Sequence, residues 1–178
     1  WQQQVRELAW IVDAAALEAE LASALRYAPH VVLGGETAPA ALVVVAEGKA
    51  SATREQFGVA FERHDYGQRA IAARLHASEP HQGLARQWFR APDILALLPT
   101  DRPQPGHGLA LVWSLPAERA EALLALDAAA FEAVLMDATA GAAGALRLSS
   151  ARAAWPLALA RAQPLYGPGW VLIGDAAH

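Results

Sequence analysis

Two short stretches carry residue types able to hold a ligand. The chain closes on Trp170-Val171-Leu172-Ile173-Gly174-Asp175-Ala176-Ala177-His178, an apolar strand that delivers a glycine and then an aspartate. Glycine lets a ligand approach the backbone, and a carboxylate at a helix entrance either accepts hydrogen bonds from ligand hydroxyls or caps the helix. The other stretch, Leu42 to Arg54, runs from an apolar strand into Glu47-Gly48, with Ser51 and Arg54 behind it. It reads as a functional loop or as a strand, a glycine turn and a surface arginine. The large apolar residues Trp88, Phe89, Leu95, Leu97 and Trp113 fall on expected strands, so one subset lines a cavity or all serve as core.

Other chemistries lack their residues. The six histidines show neither the H-x-x-x-H helical spacing nor the neighbouring carboxylates of a zinc or iron site, so no protein metal site is expected. Ser114 and Ser149-Ser150 lack the Gly-x-Ser-x-Gly context of a nucleophile elbow, which removes the hydrolase reading. With no cysteine in the chain, disulfides, thiolate ligands and cysteine nucleophiles are excluded, and a cytoplasmic location is the default.

The elements that must position these residues follow from periodicity. Leu8 to Val12 reads as a strand, and Asp13 as the N-cap of a helix whose Leu17, Leu21 and Leu25 form a stripe that should pack on a sheet. Val31 to Leu33, a Gly34-Gly35 turn and Ala41 to Ala46 suggest a β-hairpin. Alternation predicts a half-buried strand over Gln68 to His76, with Ile71, Ala73 and Leu75 on one side. Strands at Gln87 to Arg90, Ile94 to Leu98 and Leu109 to Ser114 continue an antiparallel meander. Pro116 opens a helix to Leu126, Asp127 caps a second, and Gly141 and Gly144 end it. Ala154 to Ala162 and Trp170 to Ile173 are the last strands, with a turn at Pro164 to Gly169.

At 178 residues and 54% hydrophobic composition the chain can bury a substantial core. Its formal net charge of -4 is spread without a basic face, which argues against nucleic acid as a partner. No apolar run reaches the length of a membrane span. Trp1 and the strand running into Gly174-Asp175 make both ends read as internal to a longer protein.

The motifs resemble those of one family. WVLIGDAAH is similar to the third FAD motif of the flavin monooxygenases built on the para-hydroxybenzoate hydroxylase fold. LVVVAEGKASATR is similar to their Asp-Gly motif, with Glu47 where the family has Asp, followed by Gly48, Ser51 and Arg54. The ordered series Tyr66-Gly67-Gln68-Arg69-Ala70-Ile71, Glu79-Pro80-His81, Ala85 to Phe89, Leu95 to Pro99 and Leu111 to Ser114, then Leu126-Asp127 with Phe131, resembles the ubiquinone-biosynthesis hydroxylases over nearly the whole chain. Departures are the absence of a Gly-x-Gly-x-x-Gly fingerprint from the sequence, the stop at His178 and a compressed link between Leu25 and Glu47.

The resemblance implies an α+β fold: a mixed, largely antiparallel sheet with helices on one face as substrate domain, plus partial elements of an FAD-binding α/β domain. Residues 1–12 would lead out of the substrate domain, 13–55 and 165–178 would belong to the FAD-binding part, and 56–164 to the substrate domain. It implies cofactor contacts at Gly174, Asp175, Ala176, Glu47, Gly48 and Arg54, a buried acid and arginine fixing the loop, and substrate contacts at Trp88, Phe89, Leu97 and Trp113. The cofactor would be FAD, not retained by this chain alone, with NAD(P)H as reductant. No catalytic side chain is implied, because the cofactor carries the hard step. The substrate would be a polyprenylated phenol, met with other ubiquinone-pathway enzymes or at the periphery of the inner membrane. Two alternatives stay open: a non-catalytic module binding a lipid or quinone-like molecule, and a hydroxylase of a simple soluble phenol.

Overall fold

The computed structural model describes residues 9–34 and 39–178. Its elements are α1 (Ala14–Leu25), β1 (Val43–Val45), α2 (Ala52–Gln56), β2 (Ala60–Ala77), β3 (Arg86–Arg90), β4 (Asp93–Thr100), β5 (Gly108–Pro116), α3 (Ala117–Ala125), α4 (Ala128–Thr139), β6 (Leu146–Leu148), β7 (Ala153–Gln163), β8 (Tyr166–Gly167) and β9 (Trp170–Leu172), closed by a 3-10 turn at Gly174–Ala176. They divide into two compact units. The first holds residues 9–31 and Gln68–Pro156, the second Val32–Gly67 and Leu157–His178.

In the first unit a sheet runs in the order β3-β4-β5-β2-β6. The β3/β4, β4/β5, β5/β2 and β2/β6 pairs are antiparallel. Register decides which side chains meet, because residues paired across an antiparallel ladder share a face. Trp88 pairs with Leu95, Leu95 with Trp113, and Trp113 with Ile71, so these four lie in one row on one face. That face carries Leu75, Leu97, Leu109, Leu111 and Leu115, and packs with Leu123, Phe131 and Leu135 of α3 and α4 in one core. Each such side chain fully buried contributes about 1.5–3 kcal/mol of transfer free energy.

The expected α+β arrangement, a largely antiparallel sheet with helices on one face, is what the chain forms. Pro116 takes the cap position of α3, not the first helical one. Asp127 caps α4 by accepting from the Ala130 N–H at 2.8 Å, and α4 ends where Ala140 turns left-handed at φ 49°. Arg152 holds the α3–α4 corner. Its guanidinium donates to the Leu123 and Leu126 carbonyls at 3.0 and 2.6 Å and lies 4.8 Å from the centre of the Phe131 ring. The short strand β6, which periodicity did not reveal, is gripped by Glu132 of α4. The buried Glu132 carboxylate accepts from the Leu148 N–H at 2.7 Å and from Arg147 at 2.6 Å. Burial pushes its pKa up, but these two donors and the Arg147 charge together hold it below the ordinary value.

Three expectations are corrected. Residues 9–12 form no strand, Leu8 lying outside the described residues. Asp13 does cap α1, accepting from the Ala16 N–H at 3.1 Å, but the leucine stripe does not pack: Leu17, Leu21 and Leu25 are 46%, 54% and 41% exposed. What ties this helix to the sheet is polar, the 2.9 Å ion pair of Asp13 with Arg74 on β2. Nor is there a hairpin from Val31 to Ala46. Residues 31–33 are not a strand, Gly35 lies outside the described residues, and β1 pairs in parallel with β9. A run of three valines is stabilised by a buried neighbour, and β9 supplies it where the exposed Val32 does not: Val45 and Leu172 are both 3% exposed.

In the second unit β9 is the centre of the order β1-β9-β8. Its core is small, comprising Val45, Val59, Ala162, Leu172, Ala176 and Ala177.

Candidate functional site

The Glu47–Arg54 loop and the Gly174–Ala176 turn, far apart in sequence, come together in the second unit because β1 and β9 run side by side and release their chains at the same end. The Ile173 N–H donates to the Val45 carbonyl at 2.9 Å, continuing that pairing to the mouth of the turn. Gly48 and Gly174 both have positive φ, 81° and 57°, a region that β-carbon sterics disfavour for other residues.

Arg54 fastens the two segments. Only 4% exposed, it donates from Nη1 to the Ala176 carbonyl at 3.1 Å and from Nη2 to the Lys49 carbonyl at 2.8 Å. The Phe61 ring lies under the guanidinium, 3.7 Å from Cζ, a spacing at which the ring quadrupole attracts the cation. A charge this buried needs such partners.

Glu47 is occupied within its own loop. It is exposed, contrary to the expected buried acid. Oε2 accepts from Ser51 Oγ at 2.8 Å and from the Thr53 N–H at 3.0 Å, and Oε1 accepts from the Thr53 hydroxyl. The Thr53 hydroxyl first, then the Thr53 N–H and Ser51, hold its carboxyl below the ordinary value, with the Arg54 charge adding to them. Ser51, fully buried, is the N-cap of α2 and accepts from the Arg54 N–H at 3.1 Å. Thr53 was not singled out from the sequence; its position within the first turn of a helix capped by Ser51 is the signal that finds it.

Gly174 and Asp175 are left open. A side chain built on Gly174 would meet no atom within 4 Å. Asp175 is exposed, and among the described residues its carboxylate makes no hydrogen bond. Ala176 is buried, its carbonyl held by Arg54. The turn therefore presents an approachable backbone and a free carboxylate on a braced support.

The four candidate substrate residues separate. Leu97 is fully buried in the core. Phe89 is on the other face of β3 and 73% exposed. Trp88 and Trp113 line a cavity of about 230 Å³ on the helix side of the sheet, with Asp93, Arg119 and Val134. A wider recess of about 410 Å³ lies on the opposite face, against Ala72, Arg74, Leu98, Ala110, Val112 and Trp155. These lining residues were missed, although the alternation that assigns Ile71 and Ala73 to the core also assigns Ala72 and Arg74 to this face. Among the described residues no three His, Asp or Glu side chains gather as a metal site. His76 and His107 are stacked 5.6 Å apart, and the His107 ring bonds the Ala77 carbonyl at 2.9 Å.

Comparison with known proteins gives this arrangement a class. The structure resembles PqsL, a probable FAD-dependent monooxygenase from Pseudomonas aeruginosa (TM-score 0.62, 22% identity, 77% of this chain and 38% of that one). It also resembles the flavin-dependent brominase Bmp2 (TM-score 0.56, 18% identity, 78% and 36%). The fold is that of the FAD-dependent monooxygenases and halogenases. No protein-family model matches the chain. Among curated proteins it is 34% identical over 144 residues to the ubiquinone hydroxylase UbiL of Rhodospirillum rubrum, covering 81% of this chain and 33% of that one. It is 27% identical to the ubiquinone hydroxylase UbiM of Neisseria meningitidis (80% and 30%) and 30% identical to the human mitochondrial ubiquinone biosynthesis monooxygenase COQ6 (84% and 38%). Over about four-fifths of its length the chain is similar to these three proteins, and it spans about a third of their length.

Proposed function

We propose that the protein carrying this chain is an FAD- and NAD(P)H-dependent monooxygenase that hydroxylates a polyprenylated phenol in ubiquinone biosynthesis. The observation that carries this reading is the buried Arg54 guanidinium, which braces the Glu47 loop against the Gly174–Ala176 turn, uniting both stretches singled out for cofactor contact. The turn suits a flavin's polyhydroxyl chain: Asp175 has free acceptor oxygens and Gly174 leaves the backbone accessible. Gly174, Asp175 and Ala176 would hold FAD, with Gly48 and Arg54 shaping the support and Glu47 bracing the loop. When bound, FAD would take two electrons from NAD(P)H and deliver one oxygen atom of O2 to the ring, the other leaving as water.

The open sheet face is the better candidate for the ring and prenyl chain. Its recess is apolar over Leu98, Ala110 and Val112, and Ile94 on the same face is 40% exposed, whereas Leu97 and Trp113 are turned to the helices. A polyprenyl phenol is itself strongly apolar, so it would be met at a membrane surface or handed over by pathway enzymes. Among the described residues no helix is long and apolar enough to cross a membrane.

The test is to purify the product of the full reading frame, measure bound FAD, and follow NAD(P)H oxidation and ring hydroxylation with prenylated and unprenylated phenols. Flavin-dependent hydroxylation that prefers the prenylated ring supports the proposal. Equal turnover of simple phenols would move the substrate to that class. A protein that binds prenylated quinones but neither holds FAD nor turns over is a binding module, and the proposal fails.

A further inference from the structure

The helix-side cavity has a chemistry of its own. Its floor is the Trp88–Leu95–Trp113 row across β3, β4 and β5. Val134 and Ala138 of α4 and Arg119 of α3 also line it. Asp93, at the start of β4, is 7% exposed, and its Oδ2 forms an ion pair with Nη1 of Arg119, 2.8 Å away. Arg119 also lies 5.9 Å from the centre of the Trp113 ring. Two buried polar atoms on this wall have no protein partner among the described residues: Asp93 Oδ1, an acceptor, and Trp113 Nε1, a donor. Leaving either unpaired costs about 1–3 kcal/mol.

We propose that this cavity binds a small phenol, its hydroxyl accepting from Trp113 Nε1–H and donating to Asp93 Oδ1, its ring lying among Trp88, Leu95 and Val134. One hydroxyl satisfies an unmatched donor and an unmatched acceptor together, which neither an ammonium, with donors alone, nor a carboxylate, with acceptors alone, does. Trp88, Leu95, Val134 and Ala138 offer an aromatic ring flat and aliphatic surface, while the charged Arg90, Arg119 and Asp137 complete the lining. At about 230 Å³ the cavity falls below the usual range of about 300–1,000 Å³ for drug-sized ligands, so it takes a single ring without a prenyl chain. The site is on the face of the sheet opposite the recess assigned to the substrate and does not depend on that assignment.

The experiment titrates the protein, carrying ¹³C-labelled methyl groups, with 4-methylphenol and with toluene, which keeps the ring and lacks the hydroxyl. The expected result is saturable shifts of the Val134 and Leu95 methyls with 4-methylphenol, and toluene binding roughly tenfold more weakly for the loss of the paired hydroxyl. Trp113→Phe keeps an aromatic ring and removes the donor, and should shrink that preference to about threefold or less. Ala138→Leu fills the cavity from α4 and should abolish binding of both, which keeps the test decisive if the tryptophan variant folds poorly. Equal affinity for the two probes overturns the proposal. So do shifts confined to Leu98 and Val112 on the opposite face, or no saturable shift at all, the result expected of a cavity that takes only water. None of these readouts involves flavin or turnover, so failure here leaves the hydroxylase reading standing.

Discussion

The two units are held together by different means. In the first, sixteen buried side chains form one apolar cluster between sheet and helices. In the second, six small or medium side chains make the core, and the loops that matter are held by a buried guanidinium and a carboxylate with three donors. Apolar packing is non-directional and tolerates adjustment, whereas hydrogen bonds demand particular atoms at particular distances. The unit that joins two loops distant in sequence uses the directional kind.

That contrast can be broken or sharpened by substitution. The largest effect should come from the first unit. Leu97→Ala removes a fully buried side chain from the packed cluster and should cost about 2–5 kcal/mol, read by urea unfolding; a cost below 1 kcal/mol would mean the core is looser than the contrast requires. Next is Arg54→Met, which keeps a stem of comparable reach and strips the Ala176 and Lys49 carbonyls of their donor. It should cost about 2 kcal/mol, with faster amide exchange around Thr53 and Ala177 and unchanged exchange in β4 and β5. Uniform loss of protection across both units would erase the contrast. Gly174→Ala should cost about 1 kcal/mol because of the positive φ, visible in the thermal midpoint, and should weaken flavin retention by the full-length protein.

Acid should act more gradually. Glu47, Glu132 and Asp13 have lowered pKa values in the fold. Their contribution is therefore complete above the unfolded values, 4.5 for glutamate and 3.8 for aspartate, and is lost as pH falls through the lower folded ones. Stability measured from pH 7 downward should stay flat with respect to these groups until that window. In exchange experiments Thr53 should lose protection together with Glu47 protonation. The smallest effect belongs to Arg69→Ala, which removes an exposed 3.2 Å pair with Glu121 and should change stability by about 0.5 kcal/mol or less.

Much of the first unit could be read from the sequence because its signals are local. Alternation over Gln68 to His76 and Leu109 to Ser114 marks strands whose every second residue is buried, and Asp13 and Asp127 announce helix starts through their side-chain oxygens. What escaped depended on distant partners. β1 reads as half of a hairpin until β9 is known to lie beside it. The stripe on α1 has the right period and no described surface to cover. For Trp88 and Trp113 the period separates two faces but does not say which is covered by helices, and that is why these residues meet a cavity on the side away from the open recess. The two candidate stretches were legible as Gly174-Asp175 and Glu47-Gly48, but the bond from Arg54 to the Ala176 carbonyl, which joins them, has no local signature.

Glu132 has a further consequence at the border of the sheet. β6 ends the β3-β4-β5-β2-β6 order, and a border strand offers unpaired N–H groups that can recruit a strand from another molecule. The Leu148 N–H already has its acceptor in a carboxylate from α4, and Arg147 beside it adds a charge that an incoming strand would have to bury. A single helix side chain thus guards against self-association as well as docking the helix, and the guard weakens in acid, when its oxygens take up a proton.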